Sequence, residues 1–452
     1  MEINSSSSIL KNRGFLNLWI NQILVQLSYN ALNFGLLVWV YRLTGSSAAV
    51  SLMLFSVYLP SVIFGLFAGV VVDITDRKKI IAIINFLLAV CFLSLIPFKD
   101  NFVAILTIVF AVNSLVQFYV PAESSAIPLI CSRKQLLAAN SLFSITLFGS
   151  FLGGFGIAGP IINFFGINFV FLFGAFLLFA AFLLSFLFPP INNSLDPLGK
   201  KLSEAISNRN TALMLGVAFK EMRNTFDLIK GRVAVLASLF ILASIQVVIA
   251  VLGALVPSFF EKAIKVNSAD ASFIMVVPLG VGMVLGGIIL SRFGNLIPKR
   301  TLVAGGITIA GLLFFTLGTA HFLPPFLLRH SPEPFINKPV LTAALMLGSF
   351  LLGLAMVGVV VPSQTALQEY SPERDRGKVY AALAVLMSFL TLLPVLAVGV
   401  MADLFGASPI FLVMGGVIAL IGLLAFKPEF YFSKKQLPYK VRQFLGLGHW
   451  ER

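Results

Sequence analysis

The sequence predicts an all-α polytopic membrane protein of twelve spanning helices in two pseudo-symmetric six-helix halves, on three observations. First, 58% of its 452 residues are hydrophobic and 11% charged, with a mean hydropathy of +0.98. A soluble chain carries about a quarter charged residues. Second, apolar runs of about twenty residues, the length that crosses a bilayer core, fall near 15–43, 48–73, 80–97, 102–121, 139–162, 167–188, 233–258, 272–292, 301–322, 339–361, 378–401 and 407–426. Third, the polar segment 189–232 divides these runs six and six. The domains expected are a half at 1–188, a linker at 189–232, a half at 233–426 and a tail at 427–452.

Taken in order, the first run follows Lys11 and Arg13, as the core of a signal peptide would. It is too long for a removable apolar region and carries several amides, so it reads as a membrane helix. An even number of spans puts both termini on one side. Of the 32 Lys and Arg residues, only Arg42, Lys99, Lys262, Lys265, Arg329 and Lys338 then fall opposite the termini. Basic residues gather on the cytoplasmic side, which predicts both termini in the cytoplasm and a place in the cell membrane. This also accounts for the net charge of +14 without nucleic acid as a partner. In the linker, Leu215, Phe219, Met222, Phe226 and Ile229 recur at helical spacing, with Lys220, Glu221, Arg223, Asp227 and Lys230 mostly off that stripe. That pattern predicts an amphipathic connector helix on the inner face.

The halves echo each other. Pro121-Ala122-Glu123 is expected to close the fourth run and Pro362-Ser363-Gln364 the tenth, and Arg133 and Arg374 follow those prolines at equal distances. Such repetition is the layout of parallel transporter repeats. Gly65 and Gly69 in the second run, and Gly282 and Gly286 in the eighth, have the small-xxx-small spacing that lets helices approach closely.

Enzyme chemistry finds no foothold. Cys91 and Cys131 are the only cysteines, and His321, His330 and His449 are scattered, so neither a metal site nor a cofactor is expected. No nucleophile–base pair or phosphate loop appears.

Between the second and third runs stands Gly69 to Lys79, GVVVDITDRKK. With the twelve runs and the long central segment, it resembles the major facilitator superfamily, and the resemblance covers essentially the whole chain. That family's loop reads roughly G-x-x-x-D-x-x-G-[RK]-[RK], which Gly69, Asp73, Arg77 and Lys78 match. Asp76 stands where the turn glycine belongs. The second-half counterpart, GGIILSRFGNLIPKR, keeps Gly287 and the basic end without the acid. PSQTALQEYSPERDRGKVYA and PAESSAIPLICSRKQLLAANS are similar to the drug-exporter branch with macrolide-efflux and enterobactin-exporter proteins. Gly149, Gly153, Gly154, Gly156 and Gly159-Pro160 resemble the antiporter motif, with Asn163-Phe164 in place of its trailing glycines.

The resemblance implies a conformational role for Asp73 and Arg77, latching the inner gate against a helix N-terminus or each other. The plainer alternative has Asp76 or Thr75 capping the third helix. Glu123 and Arg133, with Glu369, Arg374, Asp375 and Arg376, are read either as ion pairs between the halves or as solvated loop charges.

Gln22, Gln26, Tyr29, Asn30 and Asn33 fall within an arc of about 100 degrees on the first helix. Asn113 and Gln117 lie one turn apart on the fourth, Ser244 and Gln246 near the middle of the seventh, and Ser349 on the tenth. In the family these four helices line the central cavity, which makes the amides candidate substrate contacts; bonding between helices is the alternative. No charged residue or histidine stands near mid-span, which suits a neutral, amphipathic small molecule. Protons, if they are the coupling ion, must act at Asp73, Glu123 or Asp403. The expected function is secondary export by rocking of the two halves, by a chain working as a monomer in the lipid bilayer. A gradient-independent facilitator or flippase for lysolipid or lipid is the alternative.

Overall fold

The computed structural model describes residues 9–132, 135–189, 233–294, 297–319, 337–371 and 376–426. Among them are twelve helices long and apolar enough to cross a membrane. The first six are α1 (Arg13–Thr44), α2 (Ser47–Ile74), α3 (Arg77–Phe98), α4 (Phe102–Ile130), α5 (Leu136–Phe165) and α6 (Ile167–Ser185). The second six are α7 (Val233–Ser258), α8 (Val277–Phe293), α9 (Lys299–Thr319), α10 (Asn337–Tyr370), α11 (Arg376–Phe405) and α12 (Ala407–Phe426). Helices suit a bilayer because every backbone N–H and C=O is satisfied within the segment. The predicted linker helix and the tail lie outside the described residues.

Two runs are longer than the sequence suggests. Helix α4 passes through Pro121 and Pro128 to Ile130, and α10 passes through Pro362 to Tyr370. Proline closes a helix in water more readily than in a membrane protein, where neighbouring helices and Ser or Thr side chains re-satisfy the freed carbonyls. Glu123 is therefore a helical residue inside the protein rather than a loop charge.

The chain divides into two compact units, Met1–Leu43 with Phe55–Arg223 and Thr44–Leu54 with Asn224–Arg452. Helix α2 thus begins in the second unit and continues in the first. In the first unit α3 packs on α4 and α6; in the second, α9 packs on α12, α8 on α10 and α7 on α11.

Local devices repeat between the units. Gly166 joins α5 to α6 with φ 78° and Gly406 joins α11 to α12 with φ 84°, each directly after a phenylalanine. A one-residue turn at positive φ is a glycine conformation. Lys78 donates to the carbonyls of Phe186 and Phe188 beyond α6, at 2.9 and 2.7 Å. Arg300 donates to the carbonyls of Ala425 and Phe426 ending α12, at 3.1 and 3.3 Å. In both units the second residue of the third helix satisfies carbonyls that the sixth leaves without intrahelical partners.

Gly282 and Gly286 face α10, as their spacing predicts; a methyl on Gly282 would collide with the Phe350 carbonyl. Gly69 differs, because a Cβ there would meet nothing within 4 Å. Its place in the loop motif is not explained by packing.

Candidate functional site

The loop between α2 and α3 is built on Asp76. Its φ of −66° and ψ of 112° suit any residue, and its side chain accepts from Lys78 N at 3.0 Å. The family's turn glycine is dispensable here because the backbone needs no positive φ, and a carboxylate at this position caps α3. Arg77 is buried, with Nε donating to Ser125 Oγ of α4 at 2.7 Å. Asp73 lies on the last turn of α2, with its side chain outside the described set.

Glu123 is 4% exposed and lies in a polar network among four helices of the first unit. Tyr119 Oη stands 2.7 Å from Glu123 Oε1 and 3.0 Å from Asn21 Oδ1 on α1. Asn85 of α3 donates to the same Asn21 oxygen at 3.3 Å, and Asn21 Nδ2 donates to the Ala181 carbonyl of α6 at 2.7 Å. Among the described residues the partner of Glu123 is Tyr119, one helical turn away. Glu369 also stays within its own unit, holding Lys299 Nζ of α9 at 2.6 and 2.7 Å.

The α1 stripe divides into two kinds of residue. Gln22 is buried and donates to the Phe143 carbonyl of α5 at 3.4 Å. Asn30 is buried against α5, where a Cβ on Gly154 would come within 2.6 Å of its own. Both contact α5, and Gln22 Oε1 is buried without a hydrogen-bond partner among the described residues. Tyr29, Gln26 and Asn33 are half-buried. Tyr29 Oη donates to Asn113 Oδ1 of α4 at 2.6 Å, and Asn33 Nδ2 donates to the Tyr29 carbonyl at 3.0 Å. Tyr29–Asn113 and Asn21–Tyr119 therefore tie α1 to α4.

Between those ties lie Gln22 and Gln26 on α1 and Gln117 on α4. Gln26 of α1 and Gln117 of α4 are half-buried, and neither is hydrogen-bonded among the described residues. No charged residue occurs in 14–41 or 102–122. Beside Gln117, Phe118 packs with Phe64 of α2 at 6.2 Å between ring centroids, and Phe64 with Phe110 at 6.4 Å. Amides left without a protein partner can hydrogen-bond the polar atoms of a guest.

In the second unit, Gln246 is half-buried on α7, and Ser244 is exposed and donates to the Phe240 carbonyl. Ser349 is buried on α10. Arg133 and Arg374 lie outside the described residues; Arg376 opens α11, with its side chain outside the described set.

Sequence reasoning missed a further contact there. Asp403, near the end of α11, accepts from the amides of Ser47 and Ala48 at 2.6 and 3.0 Å and from Ser46 Oγ at 2.5 Å. The carboxylate caps the N-terminus of α2, where orphan N–H groups favour an anion. One turn back, Gly399 lets Ser47 and Ser51 sit against α11. Asn21, Asn85 and Tyr119 were missed as well. The one signal in the sequence was Tyr119 four residues before Glu123, a spacing that places both on one helix face.

The Major Facilitator Superfamily model matches residues 18–328, most of the chain. The chain belongs to the major facilitator superfamily. Its fold is also that of solved transporters of this kind: the nucleoside transporter NupG (TM-score 0.64, 16% identity, covering 91% of this chain and 99% of that one) and the POT family transporter PepTSo (0.67, 14%, 95% and 99%). The MFS-type transporter YfmI of Bacillus subtilis is 24% identical over 441 residues, 94% of this chain and 98% of that protein. Macrolide efflux protein A of Streptococcus pyogenes is 23% identical over 428 residues, 91% and 94%. The protein is accordingly a multi-pass membrane transporter rather than an enzyme, in agreement with the reading of its sequence.

Proposed function

We propose that this facilitator-superfamily transporter exports a neutral, amphipathic small molecule from the cytoplasm by alternating access, as a monomer with both termini inside. The observation that carries the reading is the pair Gln26 and Gln117, two half-buried amides without hydrogen-bond partners among the described residues, between two α1–α4 ties and beside Phe118. An amide unsatisfied in a membrane protein is costly unless water or a guest reaches it. The absence of charge on 14–41 and 102–122 favours a guest without a full compensating charge. Likeness to macrolide efflux protein A supports the direction of transport and the amphipathic class. In this reading Asp403 acts as a latch, holding the start of α2 on α11.

The substrate class is tested on purified protein in liposomes with erythromycin, a labelled lysolipid and glucose. Erythromycin is expected to move faster than through protein-free vesicles, and Gln26→Ala with Gln117→Ala to slow it about tenfold, the cost of two modest hydrogen bonds. Glucose alone moving would defeat the amphipathic assignment. Lysolipid moving at the same rate with and without a gradient would replace export with passive lipid transfer.

A further inference from the structure

Ser51 of α2 stands one helical turn after Ser47, whose amide Asp403 caps, and it is fully buried. A Cβ on Gly399 of α11 would fall inside contact distance of Ser51 Oγ, 2.5 Å from Ser51 Cβ and 2.7 Å from the Ser47 carbonyl oxygen. The hydroxyl is thus set against the carbon of a residue that leaves it room only by being glycine. Ser51 Oγ makes no hydrogen bond among the described residues.

Other hydroxyls of the spanning helices show what Ser51 forgoes. Ser28, Ser114 and Ser363 donate to the carbonyl four residues back, at 2.8, 2.7 and 2.7 Å. Thr391 of α11, buried as deeply as Ser51, donates in the same way to the Met387 carbonyl at 2.6 Å. The nearest parallel is Gly422 of α12, which lies on Thr308 of α9 as Gly399 lies on Ser51. Thr308 Oγ1 keeps its bond to the Ala304 carbonyl at 2.8 Å, so close approach to a glycine does not in itself deny a hydroxyl its partner. A buried polar group without a partner carries the cost of its lost hydration, and that cost disappears once water reaches it. Two opposed terms therefore meet where α2 rests on α11. Asp403 satisfies the first-turn amides and favours the closed contact, whereas Ser51 gains a hydrogen bond only when the contact opens.

We propose that Ser51 is an opening element of this transporter: its hydroxyl is dry and unbonded while α2 rests on α11, becomes hydrated when they part, and so keeps the closed contact from outlasting the transport cycle. Asp403 and Ser51 together then set how often the contact opens, with effects of opposite sign. Both termini being inside, as proposed above, the contact lies toward the outer face, and its opening is the step that lets an exported guest leave. The opposition of the two residues stands on the second unit alone; its part in export rests on the function proposed above.

Amide exchange over residues 47–54 of the purified full-length protein, read by mass spectrometry, tests this. Ser51→Ala removes the hydroxyl and adds no atom to the contact. It is expected to slow exchange about fivefold or more, beyond the roughly twofold that the helix propensity of alanine supplies. Asp403→Ala acts the other way, and the two substitutions combined should bring exchange back toward the wild-type rate. In liposomes Ser51→Ala should slow erythromycin flux about threefold or more although its contact is the better protected, an outcome that a merely structural serine would not give. Exchange in Ser51→Ala within twofold of the wild type, or faster, overturns the opposed contact, and so does a Ser51→Ala protein that fails to fold, since the hydroxyl would then be stabilising. Slower exchange with wild-type flux overturns the part of Ser51 in transport. Absence of flux for every probe in the wild type would instead defeat the exporter reading and leave the exchange result standing.

Discussion

Replacing Gly353 with leucine is expected to destabilise the second unit strongly. A Cβ at this position would fall inside contact distance of the Leu279 carbonyl oxygen and 2.9 Å from Met283 N, both backbone atoms of helical turns. The close approach is reciprocal, since Gly282 of α8 lies against the Phe350 carbonyl of α10. Backbone cannot rotate aside as a side chain can, so the helices must separate, and separation forfeits the packing that drives helix association in lipid. The cost should reach about 3 kcal/mol, the upper end for overpacked sites. Gly348→Ala is the control, because a Cβ there meets nothing within 4 Å. Fluorescence-detected gel filtration after heating should show Gly353→Leu aggregating at temperatures where the wild type and Gly348→Ala remain monodisperse. Equal survival of the three would mean that α8 and α10 do not cross at this glycine.

Replacing Asp403 with alanine is expected to loosen the first turn of α2. The carboxylate satisfies the Ser47 and Ala48 amides and holds Ser46 Oγ, which in turn accepts from Ala49 N at 3.2 Å. Loss of an N-cap costs about 1 kcal/mol, and the exposure of Asp403 argues against a larger value. Amide exchange over residues 47–52 should then accelerate roughly five- to tenfold. Asp403→Asn keeps an acceptor oxygen without the charge, so it should fall between alanine and wild type. Helix α2 starts in the second unit and continues in the first, so this loosened turn is also where the proposed latch predicts a changed transport rate. Exchange in Asp403→Ala that matches the wild type would remove Asp403 as the cap.

The sequence made the membrane class, the helix number and the superfamily legible because hydropathy and segment length are properties of the chain alone. Twenty apolar residues must cross a bilayer wherever they pack. Helix ends were less legible. Pro121 and Pro362 look like stops by the rules of soluble helices, yet α4 and α10 run through both. Glu123 was misplaced as a consequence, since a carboxylate assigned to a loop is not searched for a buried partner. The amide stripe on α1 was visible as a stripe, but its division was not. Gln22 and Asn30 bond or pack toward α5, while Tyr29 ties α1 to α4, and which neighbour lies behind each residue is a fact of tertiary structure. Asn21 and Asn85 carried no signal for the same reason: each is an isolated mid-span amide until Tyr119 and the Ala181 carbonyl are brought beside them. Asp76 was legible in both its readings, and the backbone at that position decides for the cap.

The proposal that this transporter is a secondary active exporter is tested most directly by uphill movement. Purified protein is reconstituted into liposomes with erythromycin at equal concentration inside and out, and a proton gradient is then imposed. The account predicts that erythromycin, a weak base that a proton gradient already draws to the acidic side of protein-free vesicles, accumulates on the proton-rich side well beyond that passive level, and that collapsing the proton gradient returns it to equal concentrations. Erythromycin that moves faster than in protein-free vesicles but settles at the same distribution as in them would contradict the account, and would make the protein a passive facilitator.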